Sequence, residues 1–243
     1  MSGTLSPETL MTIWERGRGV TDSGRGRIIL RSLGFDEPAT SALTVGQRDS
    51  AVMDARTWAF GSAVSAVADC PACGALLDVD FDLGLLRSEA TSQPGAPVEV
   101  ESEGFRIRAR PPCVDDLDWL ERSDADADRR SGLLSRCVLE AVHDGRPVEP
   151  GEFSADAVTA LVAALAAADP LADVRLELAC AVCDKRWSTG FDIVTFFWEE
   201  LETWVWRTAR DVDTLAARYG WSEREILEMS SARRSLYLEI DRT

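Results

Sequence analysis

The spacing of hydrophobic residues in the first sixty positions is that of helices. Leu10 and Ile13 lie on one face of a first segment, and a second segment follows a glycine-rich stretch at 17–26. Thr44, with a glutamine three residues later, forms a capping box that begins a third segment. The pattern predicts three short helices in residues 1–61, with the glycine-rich stretch as a flexible linker.

Hydrophobic residues alternate with small or acidic ones on both sides of two cysteine pairs. The first pair follows the alternating run 62–69 and precedes a second such run at 77–82. The other pair is preceded by the run VRLEL and followed by residues 187–192. Because a period of two is typical of half-buried strands, the sequence predicts two strand–turn–strand units, at 62–87 and 174–192.

The region between these units mixes several kinds of pattern. Residues 88–98 are small, polar and proline-bearing, which indicates a loop, and 105–109 alternate as a strand does. Helical spacing recurs from 133 to 144, placing the single histidine, His143, near the end of a predicted helix. Another helix is expected over 155–168, closed by an Asp-Pro pair.

The last fifty residues carry one long amphipathic pattern. Val194, Phe197, Leu201 and Val205 fall on the same helical face, and Gly220 is the expected stop. A serine–glutamate capping box directly afterwards begins a further helix.

These elements together predict an α+β fold that is mostly helical. We expect the two cysteine-bearing units to form the halves of one split four-cysteine ribbon, which joins an N-terminal helical region, an inserted α/β region and a C-terminal helical region. The expected segments are 1–61 for the N-terminal helices, 62–87 and 174–192 for the two halves of the ribbon, 88–173 for the insert and 193–243 for the C-terminal helices.

The charge of the chain restricts its partners. With 26 basic and 42 acidic residues, the net charge is −16 and the isoelectric point is near 4.5, so the average surface repels nucleic acid and anionic membranes. A hydrophobic content of 45% is enough to bury a core. The N-terminus lacks a signal-peptide pattern and the longest apolar stretch, 155–168, is too short to span a bilayer, which predicts a soluble, cytoplasmic protein.

The two CxxC pairs, Cys70 with Cys73 and Cys180 with Cys183, are the strongest chemical signal in the sequence. Pairs of this spacing next to strands are typical of zinc ribbons, because each tight turn directs two thiolates to one ion. The ion would close a loop of about 100 residues, which costs about 4–5 kcal/mol of conformational entropy, against roughly 10–16 kcal/mol from structural zinc. Four protein thiolates leave no open position for a catalytic water, which favours a structural role for Zn²⁺.

Other interpretations of the cysteines remain open. A redox-active dithiol would place CxxC at the start of a helix, whereas both pairs lead into strand-like sequence. Two structural disulfides are disfavoured in a cytoplasmic protein. Cys113 and Cys137 lack a CxxC partner and are expected in the core. With one histidine and no serine, cysteine and histidine set, the sequence indicates that the protein is not an enzyme.

Tryptophans near the C-terminus are candidates for binding a partner protein. Trp204 and Trp206 lie beside or off the main apolar face of the long helix, and Trp221 precedes the next helix, where a hydrophobic staple with Ile226 is an alternative role. Exposed tryptophan is a frequent anchor of protein interfaces. The competing explanation is that another lobe of the same chain covers these rings.

Several motifs, in their order along the chain, resemble a known family. The segments are VGQRD at 45–49, TWAFG at 57–61, CPACG at 70–74, Asp169-Pro170, the second CxxC, FDI at 191–193, WEEL at 198–201, DVDTLA at 211–216, YGWSE at 219–223, Ile226-Leu227, Arg233-Arg234 and Tyr237-Leu238. The motifs from 191 onward resemble baseplate proteins of contractile-tailed phages, the T-even-like baseplate hub and hub-assembly chaperone family. The earlier motifs resemble zinc-ribbon-bearing homologues from bacterial contractile injection systems.

The resemblance implies a non-enzymatic baseplate component or assembly chaperone of a phage-tail-like contractile injection system. Its partners would be baseplate or tail proteins of that particle. One departure is the second knuckle, CAVCDK, which lacks the proline and glycine of CPACG. A zinc-ribbon protein that binds nucleic acid or the transcription machinery is the alternative function, and it would require a basic face such as the arginines at 106–110. A thiol oxidoreductase is a third possibility.

Overall fold

The computed structural model of the chain describes residues 5–88, 95–123 and 126–240. Its N-terminal region contains one more helix than the hydrophobic pattern predicts, the short α3. Capping side chains begin these helices at Ser6, Thr21, Asp36 and Thr44, and the predicted capping box of Thr44 and Gln47 is confirmed. The helices are α1 (Pro7–Gly17), α2 (Asp22–Ser32), α3 (Glu37–Ala42) and α4 (Val45–Phe60).

The prediction of a flexible linker at 17–26 is wrong, because α2 already begins at Asp22. The glycines in this stretch permit close packing. A Cβ on Gly17 would lie 2.4 Å from the ring of Trp198, and one on Gly26 would lie 3.3 Å from Cδ of Arg48. Gly17 thus lets α1 approach the ring of Trp198, and Gly26 lets α2 approach α4.

The first half of the predicted ribbon is an antiparallel hairpin of β1 (Ala63–Asp69) and β2 (Leu76–Asp82). Val64 pairs with Phe81, and this face of the hairpin is buried or half-buried. The aspartates lie on the other face, as the alternation predicts. A short helix, α5 (Leu83–Ser88), follows.

The inserted region is a small α/β layer with its own core. Its strands form an antiparallel sheet in the order β3-β4-β5-β6, and Ile107 and Ala141 of the sheet pack with Leu161 of the last helix in the insert. The elements are β3 (Val98–Ser102), β4 (Phe105–Ala109), α6 (Val114–Arg122), α7 (Asp126–Cys137), β5 (Val138–His143), β6 (Arg146–Pro147) and α8 (Ala155–Ala168).

Two predictions for the insert need correction. The helix expected over 133–144 ends at Cys137, because the residues after it pair with β4 as strand β5. His143 therefore lies in a strand, and its ring stacks on Phe105 at 4.0 Å. Residues 89–94 of the loop predicted at 88–98 lie outside the described residues, and the end of that loop is already strand β3.

The remaining elements follow the predicted order closely. The second hairpin is followed by a long helix that ends at Gly220, whose φ is +69°, and Ser222 with Glu225 forms the predicted capping box. No helix within the described ranges is both long and apolar enough to cross a bilayer. The elements are β7 (Arg175–Ala179), β8 (Arg186–Gly190), α9 (Ile193–Tyr219), α10 (Glu223–Leu227) and α11 (Ser231–Glu239).

Helix α9 crosses the main core. Phe197 and Leu201 of this helix are fully buried with Ile29 of α2, Val52 of α4 and Val64 of the first hairpin. The N-terminal helices, the base of the ribbon and the C-terminal helix thus share one core. The protein is of mixed α and β class with a four-cysteine cluster, which confirms the predicted fold class.

The N-terminus of α4 is joined to the end of the insert by a buried hydrogen bond. The Gly46 N–H donates to Oδ2 of Asp169 over 2.9 Å, and Asp169 is 2% exposed. Burial raises the pKa of Asp169, although the Gly46 N–H acts in the opposite direction. Asp169 ends α8, so this contact fixes the insert to the helical region.

Gly46→Ala is expected to lower the free energy of unfolding by about 1–3 kcal/mol. The added Cβ would lie 2.2 Å from Oδ1 of Asp169 and 3.0 Å from the backbone nitrogen of Ala172, so the backbone must shift. Thermal or urea unfolding measures the loss. Gly151→Ala is the matched control, since a Cβ there meets nothing within 4 Å. Equal stability of the two variants would contradict the close approach.

Candidate metal centre

Each cysteine pair lies in a tight turn between two strands, and the two turns have the same hydrogen bonds. The Cys70 N–H donates to the Ala75 carbonyl and the Gly74 N–H donates to the Cys70 carbonyl, both over 2.9 Å. In the second turn the Cys180 N–H donates to the Lys185 carbonyl and the Asp184 N–H to the Cys180 carbonyl, again over 2.9 Å. The chain therefore forms the same knuckle twice.

Both knuckles contain one residue in the left-handed region. Gly74 has φ +70°, and Asp184 at the equivalent position has φ +57°. Aspartate is one of the few residues with a side chain that tolerate this conformation. The absence of glycine from the second knuckle therefore does not change its shape.

The four thiols meet where the two knuckles face each other. All four Sγ atoms lie within 4.8 Å of one another. The Sγ atoms of Cys70 and Cys183 are 3.7 Å apart, and those of Cys73 and Cys180 are 3.6 Å apart. A tetrahedral ion with bonds of about 2.3 Å to sulfur requires sulfur–sulfur distances of about 3.8 Å. The arrangement can hold a metal ion.

The sulfur distances do not match disulfide bonds. Disulfide sulfurs are about 2.0 Å apart. All six cysteines of the chain are free thiols, and the sulfur contacts of 3.6 and 3.7 Å each join one knuckle to the other. The structure brings the four predicted ligands together and leaves Cys113 and Cys137 outside the cluster.

The thiols of the cluster differ in how readily they ionise. Burial acts to raise the pKa of Cys70, but hydrogen bonds from the backbone N–H groups of Ala72 and Cys73 outweigh it and lower the pKa to about 6. The Lys185 N–H lowers the pKa of Cys183, yet hydrogen bonding with the other thiols raises it to about 12. A cation bound among the sulfurs would favour the ionised form of all four thiols.

The bases of the two hairpins are anchored in the main core. Arg56 of α4 donates two hydrogen bonds of 2.8 Å to Glu200 of α9 and one of 2.6 Å to the Ala63 carbonyl at the start of β1. Phe81 at the end of β2 packs edge-on against Phe191, which follows β8, at 5.1 Å. The hairpins are fixed together at their bases by the core and at their tips by the cysteine cluster.

The other two cysteines have separate positions. Cys137 is 1% exposed, as predicted, and burial raises its pKa to about 11. Cys113 is half-buried at the N-cap of α6. Neither thiol contributes to the candidate metal centre.

The candidate partner-binding tryptophans are exposed to different degrees. Trp206 is 55% exposed and packs edge-on against Trp14 of α1 at 6.2 Å. Trp204 is half-buried against the main core. Trp221 is half-buried and stacks on Tyr219 at 4.5 Å. Trp206 is therefore the one of the three that presents most of its ring to solvent.

An open groove of about 680 Å³ lies between α1 and α10. The sequence did not reveal it, because its two walls come from opposite ends of the chain. Glutamates dominate its polar lining, and its one arginine, Arg224, pairs with Glu228 at 2.9 Å. The lining residues are Ser6, Pro7, Glu8, Met11, Thr12, Glu15, Glu223, Arg224, Leu227 and Glu228.

The chain was compared with protein-family models, curated proteins and solved structures. The family model described as T4 bacteriophage base plate protein matches residues 29–198, about seven tenths of the chain. The matched range contains both knuckles and the whole insert, and it stops near the start of α9. No curated protein and no solved structure matches the chain significantly. The chain belongs to the T4 bacteriophage base plate protein family.

Proposed function

We propose that the protein is a non-enzymatic baseplate component or assembly chaperone of a phage-tail-like contractile injection system. It acts by binding baseplate or tail proteins in the bacterial cytoplasm or within the assembled particle. The family match over residues 29–198 carries this proposal. The net charge of −16 supports protein partners over nucleic acid.

The metal in this proposal is Zn²⁺, held by Cys70, Cys73, Cys180 and Cys183. The sulfur–sulfur distances of 3.6 and 3.7 Å support a tetrahedral ion with thiolate ligands. Four thiolates complete the coordination of zinc and leave no position for a water or substrate. The zinc is thus a structural cross-link that makes one unit of segments 62–87 and 174–192, with 88–173 as an inserted lobe.

The partner surface in this proposal is the C-terminal helical region that carries Trp204, Trp206 and Trp221, with Trp206 as its most exposed ring. Trp206 offers a large exposed ring, and aromatic side chains of this kind are common anchors of interfaces. The glutamate-lined groove between α1 and α10 adds negative charge to the same helical region.

Affinity purification of the tagged protein from its native host tests the proposal. We expect tail or baseplate proteins, identified by mass spectrometry, to exceed their amounts in an untagged control at moderate salt. Trp206→Ser is expected to lower their recovery about tenfold, the effect of losing roughly 1.4 kcal/mol of binding free energy. Leu139→Ser, at a side chain 48% exposed on strand β5, is the matched control. Recovery of nucleic acid or polymerase subunits instead would contradict the proposal and favour the zinc-ribbon regulator.

A further inference from the structure

The ribbon tip, defined as Val67, Asp69, Leu76 and Asp78 at the knuckle end of the first hairpin, exposes two large aliphatic side chains. Leu76 is 71% exposed and Val67 is 62% exposed. Both lie in the first hairpin. Exposed aliphatic residues that cluster on one element are typical of contact surfaces.

The register of the first hairpin places these side chains side by side. Val67 is opposite Asp78, and Asp69 is opposite Leu76. Opposed residues of antiparallel strands share a face, so Val67 and Leu76 are diagonal neighbours with the two carboxylates on the other diagonal. The opposite face of the hairpin already supplies its contacts with the core, through Val64 and Phe81. Within the described part of the chain, Val67 and Leu76 therefore stay largely exposed to solvent.

The charged side chains around Val67 and Leu76 on the first hairpin are all negative. Residues 57–86 contain no lysine, arginine or histidine, while Asp69, Asp78 and Asp80 lie exposed on the same outer face. A surface that combines aliphatic side chains with unpaired negative charge is complementary to aliphatic side chains bordered by arginine or lysine. It opposes the phosphates of nucleic acid and of lipid headgroups.

The tip is also held in a fixed shape before any partner binds. The backbone hydrogen bonds of the first knuckle and the thiol cluster next to it restrain the hairpin that carries Val67 and Leu76. A rigid surface loses little conformational entropy on binding.

We infer that the ribbon tip is a docking surface for a second baseplate protein, one that presents aliphatic side chains bordered by arginine or lysine. The inference rests on the proposed function and adds a contact made by other elements than the C-terminal helices. The protein then bridges two neighbours, one bound through Trp206 and one through the ribbon tip.

Purification of tagged variants of the full chain from the native host tests this inference. The variants are Val67→Ser with Leu76→Ser, which removes the aliphatic contact, and Asp69→Lys with Asp78→Lys, which reverses the charge. The control is Leu139→Ser with Val162→Ser, at side chains 48% and 46% exposed on β5 and α8, away from both the ribbon tip and the C-terminal helices. Each purified variant is first compared with the wild type in melting temperature and zinc content, which exposed positions should leave unchanged.

We expect one identified baseplate protein to fall at least tenfold in recovery with both tip variants and to stay at the wild-type level with the control. Raising the salt concentration should weaken the same contact in the wild type. If the wild type recovers baseplate proteins and both tip variants recover them equally, the inference is overturned and the proposed function stands. If the wild type recovers none, the proposed function itself fails.

A second copy of the chain is the other possible occupant, and it is distinguished by the molar mass of the purified protein in solution. We expect a monomeric wild type when no partner is present. A wild-type dimer that the Val67→Ser and Leu76→Ser variant converts to monomer would contradict docking of a different baseplate protein.

Discussion

Cys70→Ser is expected to lower the melting temperature by about 10–20 °C and to abolish the binding of about one zinc ion per chain. The thiol of Cys70 lies 3.7 Å from that of Cys183 in the other hairpin, so the ion would cross-link segments that are far apart in sequence. Releasing a loop of about 100 residues corresponds to about 4–5 kcal/mol, and each kcal/mol shifts the melting temperature of a protein of this size by about 2–4 °C.

The same chemical change outside the cluster provides the control. Cys113→Ser places a good capping residue at the N-cap of α6, so zinc content and melting temperature should stay close to the wild type. Removing zinc from the wild type with a chelator should reproduce the loss seen in Cys70→Ser. Scanning calorimetry and elemental analysis check these results, and an unchanged melting temperature in Cys70→Ser would refute the structural role of the metal.

The cysteine cluster could be predicted from the sequence because the geometry of each knuckle is local. A CxxC spacing between two alternating runs specifies a knuckle, and the hydrogen bonds of both knuckles agree with that pattern. The proximity of the two knuckles followed from chemistry, since a single knuckle supplies only half of a tetrahedral site. The left-handed conformation of Asp184 could not be deduced from its identity, although aspartate permits it.

The errors arose where packing between distant segments overrides a local pattern. Val138 and Ala141 have a spacing that suits a helix, but pairing with β4 makes their segment a strand. Gly17 and Gly26 suggest flexibility in the sequence, whereas in the structure their missing side chains make room for Trp198 and Arg48. The groove between α1 and α10 is equally non-local, because residues from both ends of the chain line it.

Two motifs that carry the family resemblance meet in the structure. The segment 45–49 contains Gly46, and the pair Asp169-Pro170 supplies the carboxylate that accepts its N–H. Both lie inside the matched range 29–198, whereas most of the C-terminal motifs lie beyond it. The residues that match the family model therefore include α4, both knuckles and the insert, together with the contact that joins the insert to α4.

Asp116→Ala is expected to lower the free energy of unfolding by about 3 kcal/mol at neutral pH, which corresponds to about 6–12 °C in melting temperature. Asp116 is fully buried, and its carboxylate accepts hydrogen bonds from Arg110, Arg136 and the Cys113 N–H at 2.6–2.9 Å. It thereby joins the end of β4, the N-terminus of α6 and the C-terminal turn of α7. Asp173→Ala, at a side chain 71% exposed, is the matched control and should change stability by less than about 1 kcal/mol.

The contribution of Asp116 should disappear in acid. Burial acts to raise the pKa of this carboxyl, but the hydrogen bonds from Arg110, the Cys113 N–H and Arg136 outweigh it and hold the pKa well below its usual range. A carboxyl whose pKa is lowered by folding stabilises the protein above its unfolded pKa, near 4, and loses that contribution as the pH falls towards the folded pKa. The stability difference between wild type and Asp116→Ala, measured by urea unfolding, should therefore be largest near pH 7 and shrink steadily below pH 4. A difference that stays constant down to pH 2 would show that Asp116 acts through its shape and not through its charge.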